Sequence, residues 1–213
     1  MVAVVNRPSP SRWPLLAILG VAAVAALAFW ILAAAPYLRL DPAQFGPAYW
    51  PRRYGLLTHI AGGTVALLAG PVQLWLGETR SALAWHRKIG TAYLIGVAVA
   101  AAAAYYLAVT TPLGWIFGSG LFMLAVAWTI TTGMAYVAIR RRAIEQHREW
   151  MIRSYVVTLA FVIFRALVVA LTVAGVGSHG EQLALAAWVC WAVPLLLLEP
   201  CLQWKKLRGP AAA

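Results

Sequence analysis

The sequence predicts an all-α polytopic membrane protein, a helical bundle with six transmembrane helices, and three observations carry that prediction. Of the 213 residues, 63% are hydrophobic and 11% charged, with a mean hydropathy of +0.78, whereas soluble domains carry roughly 25% charged residues. Six apolar runs approach the ~20 residues that cross a ~30 Å hydrocarbon core as a helix, the structure lipid imposes because every backbone N–H and C=O must be satisfied internally. The basic residues, finally, gather in alternate connections between those runs.

In chain order the spans are 15–35, 54–76, 89–109, 115–139, 152–174 and 183–204. The first follows Arg7 and Arg12 as a signal peptide would, but it exceeds the usual 7 to 15 residue apolar region and Pro36 would directly follow the cut, so it is expected to remain as a span. The connection 36–53 contains Pro36, Pro42, Pro47 and Pro51 and is expected to be an ordered, irregular loop. The expected organisation is a cytoplasmic tail over 1–14, one membrane domain over 15–204 with its core at 54–174, and a second cytoplasmic tail over 205–213.

The net charge of +11 does not indicate nucleic acid, because the basic residues are not gathered on one soluble face. Thirteen of the 17 lysines and arginines fall before span one, between spans two and three, around the join of spans four and five, or after span six; only Arg39, Arg52 and Arg53 lie in the opposite connections. The positive-inside rule then puts both termini in the cytoplasm, as for a bacterial inner-membrane protein, with the basic rim against anionic lipid headgroups. Cys190 and Cys201 share span six about 16 Å apart along its axis and cannot pair.

Spans two and three form a hairpin whose turn carries His86-Arg87 and then Tyr93; spans four and five repeat the pattern with His147-Arg148 and then Tyr155. This is a candidate hairpin repeat, although His, Arg and Tyr alone also recur by chance. Between them, Glu145 stands three before Arg148 and Glu149 four before Arg153, the spacings of helical ion pairs.

Several side chains could carry chemistry. Span two has a stripe of His59, Gly62, Gly63, Ala66, Gly70 and Gln73, which either packs against another helix or lets a flat cofactor approach, with His59 as metal ligand or proton carrier. Span five carries Tyr155, Thr158 and Arg165 at helical spacing, with Arg165 ~20 Å into the core. Such an arginine must face the bundle interior and an anion, a carbonyl or water; without a membrane acid at its level, the choices are a ligand carboxylate or phosphate, or snorkelling to Glu181 or the surface. His86 and His147 could grip the iron of a b-type haem from two sides, Arg87 or Arg148 holding a propionate, or they could contact lipid phosphate. His59, His86 and His147 are thus the candidate haem-iron ligands, with Gln73, Tyr93 and Tyr155 as further cofactor contacts. The loop around His179 lacks the GxGxxG pattern of a nucleotide site, and no GxSxG, HExxH or Walker sequence occurs. Paired intramembrane carboxylates, the usual basis of proton-coupled transport, are missing as well.

On His59 with Gly62-Gly63, Gly70-Pro71-Val72-Gln73, His86-Arg87-Lys88-Ile89-Gly90 with Tyr93, and the stretch from His147-Arg148-Glu149-Trp150 through Tyr155 to Thr158 and Arg165, the chain resembles a family of multipass bacterial membrane proteins, domain-of-unknown-function family 2306. The resemblance covers spans two to five and implies a membrane fold with shared polar positions, but no assigned activity. More loosely, histidines spread over a small bundle resemble cytochrome b561-type electron carriers, from which the interfacial depth of His86 and His147 departs. The expected function is haem- or quinone-linked electron transfer at an intramembrane site. Its alternatives are a carrier or channel for a small anionic solute, or a non-catalytic membrane partner subunit.

Overall fold

A computed structural model describes residues 13–207, and no strand occurs among them. α1 (Trp13–Phe29) runs on through a π-helical turn, Trp30–Ala34, and a 3-10 turn, Ala35–Arg39. α2 (Pro42–Tyr49) and a 3-10 turn lead into α3 (Arg53–Thr79), followed by α4 (Leu83–Val109), α5 (Trp115–Arg140), α6 (Ile144–Thr158), α7 (Ala160–Val173) and α8 (His179–Leu207). Six helical segments are long and apolar enough to cross a membrane: Leu16–Arg39, Pro42–Thr79, Leu83–Val109, Trp115–Arg140, Ile144–Val173 and His179–Trp204. Each contains or closely overlaps one predicted span. An even number of crossings returns the chain to the face where it began, called here the terminal face. Arg7, Arg12 and Arg208, and with them most of both predicted tails, lie outside the described residues.

Both predicted hairpins form, α3 with α4 and α5 with α6. The first turn is closed by left-handed Arg80 (φ 52°) and Ala82 (φ 46°), the second by left-handed Arg142 (φ 59°). His86 and His147 then occupy the opening turn of α4 and of α6, equivalent places in the two hairpins. Within the first hairpin the backbones meet closely: a Cβ on Gly62 would stand 2.5 Å from Gly96 O and 2.8 Å from Ala100 N. Such approach is what small residues permit in lipid, where helices gain no hydrophobic drive to associate and rely on packing.

The two hairpins join through tyrosines. The ring of Tyr155 in α6 covers Gly70 of α3, and its hydroxyl donates to Leu67 O at 3.4 Å. Tyr93 of α4 is fully buried, its hydroxyl bonded to Ser154 Oγ at 2.7 Å and Thr158 Oγ1 at 2.9 Å. α8 closes the other side against α5, with Ala187 seated on Gly120. α1 is peripheral, fastened to α3 by a Trp30 Nε1 donation to Thr64 Oγ1 at 3.0 Å, and its Ile18, Val21, Val24 and Leu32 face outward as lipid-facing residues should. α6 and α7 form one crossing with a bend at Leu159 (ψ −2°), beyond which the helical ladder resumes from Ile163 N to Leu159 O.

The connection 36–53 differs from expectation, being mostly short helical turns. Proline suits the first turn of a helix, where its missing N–H would be unpaired anyway, and Pro36, Pro42 and Pro51 each stand in the first or second position of such a turn. Asp41 caps α2 by accepting from Ala43 N at 2.9 Å, and Phe45 stacks edge-on with Tyr37 and Trp50. Arg52 is buried and donates to the carbonyls of Ala48 and Thr110, tying the segment to the end of α4. Cys190 is buried and Cys201 exposed, both as free thiols.

Gly62→Ala should destabilise the protein by about 1 to 3 kcal/mol, because neither Gly96 O nor the Ala100 backbone can yield without separating α3 from α4; the thermal midpoint in mild detergent checks this.

Candidate functional site

A cavity of about 430 Å³ lies in the half of the bundle away from the terminal face, bounded by residues from all six crossings. His59 is six residues, ~9 Å, from the start of α3, and Arg165 eight residues, ~12 Å, from the end of α7, so the opposed directions of the two helices bring both to one level. Trp30, Tyr49, Trp128, Thr158 and Phe161 complete the parts of the wall that matter most to its chemistry; Leu56, Leu67, Leu121 and Phe117 supply apolar surface. His179, in the first turn of α8, is exposed and stands at its edge.

His59 donates from Nδ1 to Ala100 O at 2.9 Å. That bond fixes the tautomer of the neutral ring and leaves Nε2 as an acceptor. Trp128 and Phe161 stand edge-on to the imidazole at 6.3 Å and 5.8 Å. The hydrogen bond to a neighbouring helix and the position in the cavity wall occur together.

Arg165 is defined by what the acids do elsewhere. The chain has six carboxylates. Glu78 pairs with Arg148 at 2.6 Å, and Glu145 reaches the same arginine at 4.0 Å. Glu149 and Glu199 hold Arg153 at 3.5 Å and 2.8 Å, and Lys206 joins Glu149 at 2.9 Å. Asp41 caps α2, and Glu181 accepts from Ser178 N and Oγ at 2.8 Å and 2.7 Å. Snorkelling to Glu181 is therefore not what the structure contains, since among the described residues no carboxylate is within ion-pair distance of Arg165; the residue is exposed where it lines the cavity, as snorkelling to the surface would also leave it.

The other predicted site residues lie towards the terminal face. His147 donates from Nδ1 to Ala135 O at 2.9 Å. Gln73 donates from Nε2 to His86 O at 2.8 Å, while Gln73 Oε1 and His86 Nδ1 are buried without a partner. Arg148 is engaged by Glu78, and Arg87 is exposed. Tyr93 and Tyr155 are interior links between helices, as described above. The structure thus separates the candidates into a cavity group, His59 and Arg165, and a terminal-face group, His86, His147, Gln73, Arg87 and Arg148. Trp30, Tyr49 and Trp128 escaped sequence reasoning, since aromatic residues in apolar runs or proline-rich connections carry no signal of a shared wall. Among the described residues no three or more His, Cys, Asp or Glu side chains converge as a metal cluster.

Fold and site together define a six-span helical membrane protein with a polar-tipped intramembrane cavity. Residues 56–202 match the family described as Predicted membrane protein (DUF2306), and the chain belongs to that family. The matched region contains both groups of polar residues. No curated protein and no solved structure matches the chain.

Arg165→Leu should raise the thermal midpoint of the ligand-free protein, because an arginine at membrane depth without an anion costs ~2.5 to 3.5 kcal/mol even on lenient scales; a lowered midpoint would instead make Arg165 a structural brace.

Proposed function

We propose that the cavity binds an amphipathic molecule whose head bears carbonyl oxygens, a quinone being the ligand the site supports best, and that the protein serves membrane electron transfer. The observation that carries this reading is the pairing of an arginine lacking any acidic partner with an imidazole whose Nε2 is free, in one largely apolar cavity. A volume of about 430 Å³ lies within the ~300 to 1,000 Å³ of small-molecule sites. The guanidinium offers two parallel N–H donors to one oxygen, His59 can hold or take a proton at the other, and Phe117, Phe161 and the leucines suit an isoprenoid tail. The excess of lysine and arginine at the terminal face supports a cytoplasmic location for both termini in a bacterial inner membrane, and hence a periplasmic-side cavity.

A second reading concerns the terminal face. The Nδ1 bond of His147 to Ala135 O is the orientation a metal-bound imidazole usually takes, with Nε2 directed to the metal. That favours His86 and His147 as axial ligands of a b-type haem, which would supply one-electron chemistry next to the quinone site; Arg87 is free for a propionate, whereas Arg148 would have to leave Glu78.

Three outcomes are expected. A short-chain ubiquinone analogue should raise the thermal midpoint of the purified protein, and Arg165→Gln should weaken that effect about tenfold or more, the loss of ~1.4 kcal/mol expected for one charge-assisted bidentate contact. If no quinone stabilises the protein but a small dicarboxylate does, the site is that of an anion carrier. Protein purified from haem-replete cells should show a Soret band that shifts on dithionite reduction and disappears in His147→Ala; a colourless native preparation ends the haem reading. A reporter enzyme fused after Trp204 should be active only in the cytoplasm.

A further inference from the structure

The turn between α5 and α6, at the terminal face, holds three consecutive arginines, Arg140, Arg141 and Arg142, all exposed. Arg142 N donates to Ile139 O and Ala143 N to Ala138 O, at 3.0 and 2.9 Å, the pair of hydrogen bonds that ends a helix on a left-handed residue. That residue is Arg142 (φ 59°), where glycine would be free of strain. Because the helix breaks there, the spacing at which helical ion pairs meet does not carry across the turn. Glu145, four residues after Arg141, reaches Arg148 instead, at 4.0 Å. The other acids at this face are taken as well, Glu78 by Arg148, and Glu149 and Glu199 by Arg153. Among the described residues no carboxylate is therefore within ion-pair distance of the three arginines.

The negative end of the α5 dipole offsets part of this charge, but its effect fades within the last turn, and Arg142 lies beyond it. Like charges this close repel, their Cα atoms being only about 3.8 Å from one to the next. The surroundings indicate what balances them. Arg140 lies over the ring of Tyr136, 6.0 Å from its centroid, and Tyr136, Ile139 and Ile144 are exposed beside the turn. Cations at the end of a membrane crossing, with tyrosine and isoleucine next to them, match a phosphate above acyl chains. A soluble anion would leave those apolar side chains without a partner. Arg80 and Lys88 at the first hairpin turn are exposed too, but they stand eight residues apart, and Lys88 lies over Trp85 at 5.2 Å.

We infer that the α5–α6 turn is a binding site for one anionic phospholipid, its headgroup phosphate held by Arg140, Arg141 and Arg142 and its acyl chains lying against Tyr136 and Ile139. The basic face as a whole attracts anionic lipid; this turn retains a molecule, because three flexible guanidinium groups, none committed to an acid, can close on a single phosphate. The site is at the opposite end of the bundle from the cavity, and it stands whatever the cavity binds.

Lipid titration of the purified protein in a neutral detergent tests it. Phosphatidylglycerol should raise the thermal midpoint, whereas phosphatidylcholine and inorganic phosphate should not. Arg140→Gln with Arg141→Gln should raise the phosphatidylglycerol needed for half the effect about tenfold or more, while Arg80→Gln with Lys88→Gln, which removes the same charge from the same face, should change it by less than about twofold. Arg142→Gly separates charge from backbone: the lipid-free midpoint should hold or rise as the left-handed strain is relieved, while the phosphatidylglycerol requirement rises about fivefold. In native mass spectra the Arg140→Gln, Arg141→Gln protein should retain one phosphatidylglycerol fewer than the natural one. Equal weakening by the two double variants would make the attraction a property of the whole basic face and overturn the site. Stabilisation by inorganic phosphate alone, a phosphatidylglycerol effect that no turn variant alters, or no phosphatidylglycerol effect at all would overturn it too.

Discussion

The governing constraint is that a polar group surrounded by lipid must find its partner inside the protein. Most of the interior polar atoms described obey it in the same way, by bonding to a backbone carbonyl or to another hydroxyl. His59 and His147 each give Nδ1–H to a carbonyl on a neighbouring helix, Arg52 donates to two carbonyls, and Tyr93, Ser154, Thr132 and Thr158 satisfy one another. These bonds tie α3, α4, α5 and α6 into one unit, and they explain why so hydrophobic a chain retains hydroxyls at depth. Against that pattern the unpartnered atoms at Gln73 and His86 stand out, while Arg165, without a carboxylate partner, is exposed where it lines the cavity.

Small residues decide where the bundle is solid and where it is hollow. Gly62 and Gly96 bring α3 and α4 into backbone contact, Gly70 accepts the Tyr155 ring, and Gly120 accepts Ala187. With each hairpin tight within itself, the space that remains lies between the hairpins, α1, α7 and α8, and the cavity fills it. The side facing α1 is held by few contacts, chiefly the Trp30–Thr64 bond at a π-helical turn. Local π-helix is often retained at functional places because it redirects side chains that a regular helix would point away; here it directs Trp30 into the cavity wall.

Charge is distributed as asymmetrically as shape. Glu78, Glu145, Glu149 and Glu199 all pair with arginines near the terminal face, forming networks that join α3, α6 and α8. The cavity half holds Arg165 without a counter-charge. His59 shares that half, while His86, His147 and Gln73 lie at the other, with the tyrosine and threonine hydroxyls between.

The fold class was legible in the sequence because a bilayer leaves almost one solution for each long apolar run, and both the six crossings and the two hairpins follow from run length and turn composition. His59 and Arg165 were legible as candidates for the same reason: a polar residue is conspicuous where lipid penalises it. Which candidates meet was not legible. Helical spacing says which residues share a face, but the rotation and depth of one helix against another are set by close contacts such as Gly62 on Gly96 and Tyr155 on Gly70. Only the tertiary structure placed His59 with Arg165 rather than with His86, engaged Arg148 with Glu78, turned the proline-rich connection into helical turns, and showed that every carboxylate is occupied away from Arg165. The one-dimensional hydrophobic pattern records solvent preference residue by residue, whereas partnership between side chains far apart in the chain exists only once the helices have packed.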